Sequence, residues 1–441
     1  MSSAQNQKTA ADDLLAFIEA SPTPFHAVAE VIRRLEARGY RRFDETRSWD
    51  VKPGDRVYVE RADSSIAAFR MGSVPPAEGG FRLVGAHTDS PNLRLKPRPA
   101  YTRAGVRQFG VEVYGGVLLH TWLDRDLGIA GRVLARGADG SVRSHLVRVD
   151  GPMLRVPSLA IHLNREVNKE GLKLNAQEHL APMFALEDAG AFDLHAFLLE
   201  TLRSDGVELD EGSILGVDLS LHDAQPPTRS GRNGEFLHAP RLDNLACCHA
   251  GLVALLDAPD DGRETVGIVL FDHEEVGSRS AQGAGGTLLE DCVTRLCLGD
   301  GPRRGDELQR AVAGSWLLSC DMAHALHPNY SDRHEPRHRP LLGGGPVLKT
   351  NANQSYATDG RGQALFAALC READVPMQDF VTRTDLPCGG TIGPISAARI
   401  GMRTVDVGAP MLSMHSIREM CAARDIEAFI PVLTRFFGRA G

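Results

Sequence analysis

Apolar positions along this chain fall into two kinds of run. Phe81 to Val84, Val266 to Phe271, Ser315 to Cys320 and Thr404 to Val407 are short, nearly continuous apolar stretches. They are too brief for helices, so they read as strands buried on both faces, as in a parallel sheet covered by helices. Longer stretches repeat at helical spacing. Leu14, Leu15, Phe17 and Ile18 mark a surface helix over Ala10 to Ala20, and Leu245 to Leu256 and Ile426 to Phe437 mark two more. Thr23-Pro24 predicts an N-cap with proline in the first turn, opening a helix through Val28, Val31, Ile32 and Leu35 that stops near Gly39.

Between these regions the pattern changes. From Leu93 onward, Pro97 and Pro99 alternate with Lys96 and Arg98, and short strand patterns follow: Val111–Tyr114, Val117–Trp122, Gly131–Ala135 and Val142–Val149. The last two flank Asp139-Gly140, a hairpin signal. An apolar piece, Leu159 to Asn164, contains His162; a helix over Asp193–Arg203 and a strand over Ile214–Leu221 come next, and Pro226 to Gly234 reads as a flexible exit. The expectation is an α/β catalytic domain, residues 1–94 and 239–441, with a central, mostly parallel sheet flanked by helices. A β-rich domain, residues 95–238, is inserted into it.

Composition adds limits. A chain of 441 residues with 42% hydrophobic residues can bury a large core. A formal charge of -8 argues against nucleic acid as a partner, and no apolar run is long enough to cross a bilayer. Asp12, Asp13 and Glu19 interrupt the first thirty residues, so no secretory signal is expected. Eight cysteines without a Cys-x-x-Cys pair read as reduced thiols, with Cys247-Cys248 in a helical core pattern. A cytoplasmic protein is expected.

The candidate chemistry sits where apolar runs give way to polar residues. After Phe271 come Asp272, His273, Glu274 and Glu275; after Val84 come His87 and Asp89; after Cys320 comes Asp321. Carboxyl ends of strands border the ligand crevice in open α/β sheets. Adjacent carboxylates there repel unless a cation stands beside them, although a solvated acidic loop explains an isolated Glu-Glu pair. An Asp two residues beyond a His can orient the imidazole as a ligand. Asp243 precedes a helix, a common N-cap position. Ser416 and Glu419 form a capping-box pattern that would put His415 just before a helix. The Gly343-Gly344-Gly345 run lacks the ending of a phosphate loop and reads as a turn. Two histidines and three carboxylates suit a pair of divalent ions such as zinc, with Mn²⁺ or Co²⁺ as substitutes.

These motifs resemble those of the aspartyl aminopeptidases, dinuclear zinc metallopeptidases related to the vacuolar-type aminopeptidases. The resemblance is carried by Gly85-Ala-His-Thr-Asp-Ser-Pro91, Pro240-Arg-Leu-Asp-Asn244, Phe271-Asp-His-Glu-Glu-Val-Gly-Ser278, Asp321 to Tyr330, Gly390-Thr-Ile-Gly-Pro394 and Met414-His-Ser-Ile-Arg-Glu419. These occur in family order along nearly the whole chain, with His273 where the family usually has Asn. The resemblance implies two Zn²⁺ per subunit: His87, Asp243 and Asp321 on one, Asp243, Glu275 and His415 on the other. It implies that Asp89 orients His87 and that Glu274 is the general base toward a water bridging the ions. It also implies that the inserted domain dimerises, with His162 reaching a neighbouring subunit's site, and that dimers build a tetrahedral dodecamer.

The implied reaction removes N-terminal Asp or Glu from peptides with a free N-terminus. Lys349 is the expected cation for the acidic side chain, with His327 and Tyr356 near it; the alternative for Lys349 is an ordinary surface lysine. Gly389-Gly390 either lets a substrate backbone approach closely or serves a turn. His324, His334 and His338 read as decoration of a solvated loop. Rival readings keep the metals but change the substrate to neutral, Leu-type residues or N-acyl amino acids. A self-assembling scaffold with an inactive site is the non-enzymatic alternative.

Overall fold

The computed structural model describes residues 9–298 and 305–438. They pack as two compact units. The first runs to Asp89, takes in Pro227–Met414 and resumes at Glu419; the second holds Ser90–Pro226 and His415–Arg418. The insert is thus close to the 95–238 that composition predicts, but it starts a few residues earlier, ends earlier and gains a short late segment. The stretch that reads as a flexible exit is ordered instead, with Thr228–Ser230 pairing with Phe236–Ala239.

A nine-stranded sheet forms the first unit. Its spatial order is Arg41–Arg42, Arg56–Arg61, Ser65–Arg70, Thr265–Phe271, Phe81–His87, Trp316–Cys320, Arg403–Gly408, Val347–Lys349 and Gln378–Phe380. The four central strands, Thr265–Phe271 through Arg403–Gly408, are mutually parallel. Every residue of Thr265–Phe271 and of Phe81–His87 is buried, Arg82 included, which is why both read as nearly continuous apolar runs. Phe271 is opposite His87 and Ser319 is opposite Gly85, so those two strand ends and Asp321 reach one edge at the same level.

Helices Ala10–Ala20, Leu242–Leu256 and Ala423–Gly438 pack together and contribute to one large apolar cluster with the sheet. Gly251 lets the middle helix close on the sheet, since a Cβ there would lie 2.8 Å from Val84 Cγ1. Thr9 caps the first helix through a capping box. The second helix, Pro24–Glu36, begins with proline as expected, but Thr23 makes no side-chain cap; its hydroxyl pairs with His26 Nδ1 at 2.8 Å.

The second unit is built on a six-stranded sheet in the order Val142–Leu154, Leu127–Arg136, Ile214–Asp223, Asn92–Arg103, Val106–Tyr114 and Met183–Leu186. The hairpin at Asp139-Gly140 is present, with Arg136 opposite Val142 and Gly140 at φ +80°. Asp193 caps helix Leu194–Ser204, whose Leu198, Leu199 and Leu202 face the core. Val117–Trp122 is not a strand. Leu119–Trp122 forms a single 3₁₀ turn in which Trp122 alone is buried, so its apolar residues answer to local packing rather than to a ladder. The segment His415–Arg418 joins this unit: Ile417 N–H donates to Thr121 Oγ1 at 3.1 Å, and the Arg418 guanidinium to the Pro226 carbonyl at 2.8 Å. No described helix is long and apolar enough to cross a membrane.

A polar tie holds three helices of the first unit. Asp13 accepts from Arg34 Nη1 at 2.6 Å and pairs with His249 Nε2 at 2.8 Å. The bonds from His249 and Arg34 outweigh burial and hold the Asp13 carboxyl well below the usual carboxylate range. A carboxyl depressed in the folded state stabilises the fold above its unfolded value, about pH 4, and that stability is lost as pH falls toward the folded value. Asp13→Asn should therefore cost about 2 kcal/mol at pH 7, and the gap from the parent should narrow below about pH 4. Urea denaturation across that range measures it, and a pH-independent gap contradicts the tie.

Candidate metal centre

His87 is the last residue of its strand and is 1% exposed. Its Nδ1 lies 3.0 Å from the Asp89 carbonyl oxygen. With Nδ1 turned to that carbonyl, Nε2 faces Asp243 Oδ1 at 3.5 Å and Asp321 Oδ2 at 4.0 Å, the side on which a cation would lie. One ligand atom from each of His87, Asp243 and Asp321 lies within 4.8 Å of the others, and the same holds for His87, Glu274 and Glu275.

Asp89 orients His87 through a different atom from the one its spacing suggests. Its main-chain carbonyl makes the short contact, and its carboxylate is 3.4 Å from Nδ1. The fully buried carboxylate instead accepts the N–H groups of Glu274 and Glu275, each at 3.1 Å. These are the leading amides of the 3₁₀ turn Glu274–Val276. His273 enters the turn with φ +63° and Gly277 leaves it with φ +93°, so the chain reverses sharply around the two glutamates. His273 turns away to pair with Ser280 Oγ at 2.7 Å.

Asp243 does not cap the helix that follows. It lies inside Leu242–Leu256 with non-helical backbone, and its N–H is accepted by Glu419 Oε2 at 3.0 Å. The capping box is absent as well, because Glu419 belongs to the strand Glu419–Ala422 and no helix follows His415 directly. His415 sits in the segment that packs with the second unit, its Nδ1 3.1 Å from the Gly116 carbonyl. His162 also belongs to the second unit, in an exposed 3₁₀ turn between Ile161 (47% exposed) and Leu163 (75%).

Lys349 is no surface lysine. It is 2% exposed, donates to the Met322 carbonyl at 3.3 Å and stands 3.7 Å from Asp321 Oδ1. Burial alone would lower its pKa, but the Asp321 and Asp406 carboxylates outweigh burial and raise it. Asp406, which no sequence motif marks, is completely buried and accepts from Ser319 Oγ, Thr391 Oγ1 and the Ala357 N–H at 2.6–2.7 Å. Tyr356 places its ring 5.2 Å from Lys349 Nζ and lines a cavity of about 320 Å³ together with His324, His327, His334, Arg333 and Arg383. His324 and His334 thus face a cavity rather than decorating a solvated loop, and His334 Nε2 accepts the His327 N–H. Gly389 lines this cavity, and a Cβ at Gly389 or Gly390 would meet no protein atom within 4 Å, so packing within the chain does not require glycine at either position.

Burial, reinforced by neighbouring carboxylates, raises the pKa of Glu274, Glu275 and Asp321. For His87 burial opposes the charged form, and Asp243 and Asp89 outweigh it. Carboxylates crowded this closely and withdrawn from water need positive charge among them. Lys349 supplies one cation. Imidazole and carboxylate donors of this number suit zinc, so the residues present fit the metal.

A mostly parallel sheet that gathers such donors at one edge defines a candidate metal-binding α/β protein. A family model described as Aminopeptidase I zinc metalloprotease (M18) matches residues 17–437. A probable M18 family aminopeptidase 2 of Pseudomonas entomophila (strain L48) is 50% identical over 426 residues, covering 96% of this chain and 97% of its own. A chain from the cryo-EM structure of the Ape4 and Nbr1 complex matches with TM-score 0.93 and 40% identity, over 97% of this chain and 85% of that one. The S. cerevisiae mApe1 dodecamer structure matches with TM-score 0.85 and 30% identity, over 98% and 97% of the two chains. The chain belongs to the M18 family of zinc aminopeptidases, and it is a zinc metallopeptidase.

Asp89→Ala should leave two amides of the glutamate turn without their acceptor and cost about 2–5 kcal/mol. Chemical denaturation of the metal-free protein measures this directly, and a loss below about 0.5 kcal/mol would show that the carboxylate does not hold the turn.

Proposed function

We propose that this aminopeptidase removes N-terminal Asp and Glu from peptides, with two zinc ions per subunit. His87, Asp243 and Asp321 would hold one ion, and Asp243, Glu275 and His415 the other. Bound there, the ions would supply Lewis acidity toward the scissile carbonyl and the attacking water.

The chain's own residues do the rest. Glu274 takes a proton from the attacking water and returns it to the departing amine, a task suited to a carboxyl whose pKa burial has raised. Asp89 holds the turn that aims Glu274 and, through its carbonyl, fixes His87. His162 of a neighbouring copy steadies the developing oxyanion. We further propose that the second unit pairs subunits into dimers, that the dimers assemble to a tetrahedral dodecamer, and that the protein works in the cytoplasm. A dodecamer is what is described for the S. cerevisiae relative.

The observation that carries the acidic preference is the cation-rich cavity beside Tyr356. Arg333, Arg383, the histidines at 324, 327 and 334 and one acid, Glu335, line it, and Lys349 Nζ lies 5.2 Å from the Tyr356 ring centroid. An anionic side chain is favoured where cations outnumber acids. Two observations favour the neutral-residue reading: Lys349 already faces Asp321, and Arg383 is clamped by Asp385 at 2.6 and 2.9 Å.

Hydrolysis of Asp-, Glu-, Leu-, Ala- and acetyl-Asp chromogenic amides separates these readings. Free Asp and Glu should be cleaved best, acetyl-Asp not at all, and activity should vanish with chelator and return with zinc. Glu274→Gln should lower kcat by about 10²–10⁴ while leaving zinc bound. Lys349→Ala should reduce kcat/KM for Asp and Glu by about tenfold more than for Leu. Equal losses, or a parent enzyme that prefers Leu, would remove the acidic assignment and leave the peptidase intact.

A further inference from the structure

The peptide that carries Asp243 is held by two side chains whose roles lie outside the ligand set. Asp243 and Asn244 interrupt the start of helix Leu242–Leu256, with φ/ψ of −84°/104° and −126°/23°. The first amides of a helix lack in-helix acceptors, and Arg241, at the cap position, provides no side-chain cap. Glu419 supplies an acceptor from a distant strand, its Oε2 3.0 Å from the Asp243 nitrogen. One residue on, Asn244 Nδ2 donates to the Cys320 carbonyl at 2.8 Å. Cys320 is the last residue of the strand that delivers Asp321. Both braces are enclosed, Glu419 at 1% exposure and Asn244 at 0%.

Capping alone does not account for Glu419. A Ser, Thr or Asn at the cap position would satisfy an orphan amide locally without burying another charge. Here a carboxylate is withdrawn from water beside a site already crowded with them, which is costly. What the arrangement achieves is spacing: Glu419 pins the amide that leads into Asp243, and the Asn244 side chain ties the next residue to the strand end before Asp321. Asp321 is fixed from its other side by the strand Arg403–Gly408. Its N–H donates to the Val407 carbonyl at 2.9 Å, and a Cβ at Gly408 would sit 1.8 Å from its carbonyl oxygen, so that strand approaches it as closely as glycine permits.

We propose that Glu419 and Asn244 are positioning residues that set the separation of the Asp243 and Asp321 carboxylates, and so the affinity for zinc at the His87 site. The proposal rests on reading His87, Asp243 and Asp321 as ligands of one ion. Residues that orient metal ligands contribute to affinity without touching the metal.

Zinc affinity of the full chain, measured by competition with a chromophoric chelator, tests this apart from turnover. Glu419→Ala and Asn244→Ala should each weaken zinc binding by about 10–100-fold. Glu419→Gln keeps a carbonyl oxygen for the Asp243 N–H and should stay within about threefold of the parent. Far-UV circular dichroism and native mass establish that each variant is folded; should Glu419→Ala not fold, Asn244→Ala carries the same test. Unchanged affinity in both alanine variants, or equal loss in Glu419→Gln and Glu419→Ala, overturns the proposal. A parent chain that binds no zinc overturns the ligand reading together with it. Zinc binding that follows the expected pattern without cleavage of any amide supports the proposal and counts against the proposed function alone.

Discussion

Negative charge withdrawn from water is the constraint around which the first unit is arranged. Asp89, Asp243, Asp321 and Glu419 are all buried, with Glu274 and Glu275 half-buried beside them. Such groups persist only where hydrogen bonds or cations compensate them. The protein distributes that compensation. Asp89 receives two backbone N–H groups, Glu419 one, and Asp321 faces the ammonium of Lys349. The carboxylates of Asp243 and Asp321 converge on His87 Nε2, where a divalent cation would relieve their repulsion. The sheet register makes this possible by ending neighbouring strands at one level.

The same logic links the centre to the cavity beside it. Lys349 stands between Asp321 and the Tyr356 ring, and Asp406 anchors the Ala357 amide and the start of helix Ile392–Ile400 through Thr391. A single buried ammonium therefore faces both the Asp321 carboxylate at the sheet edge and the aromatic ring that lines the cavity.

Much of the frame was legible in the sequence because doubly buried strands leave nearly continuous apolar runs. Val266–Phe271 and Phe81–Val84 announce both the sheet and the polar residues delivered at its edge. The helices announce themselves by period, as in Ile426–Phe437. Where local pattern misleads, a distant partner has taken over. Ser416 and Glu419 match a capping box, but Glu419 is drawn into a strand by pairing with Phe236–Ala239 and commits its carboxylate to Asp243. Asp243 looks like an N-cap because it precedes a helical pattern, and nothing local betrays its remote acceptor. Val117–Trp122 has the composition of a strand, yet Trp122 packs as a single anchor. Asp406 carries no motif, since its donors come from Ser319, Ala357 and Thr391, which only the folded sheet brings together.

His415–Arg418 packs with the second unit although the whole of Pro227–Met414 separates it from the rest of that unit. Neither unit is therefore a continuous length of chain. During synthesis, Ser90–Pro226 emerges well before the short piece that completes it. Completion of the second unit thus depends on closing a long loop late, a step whose entropy grows slowly with length but whose timing is set by the ribosome. Excising residues 90–226 would also leave Arg418 and Ile417 without the groups they bind, so the insert cannot be treated as a detachable module.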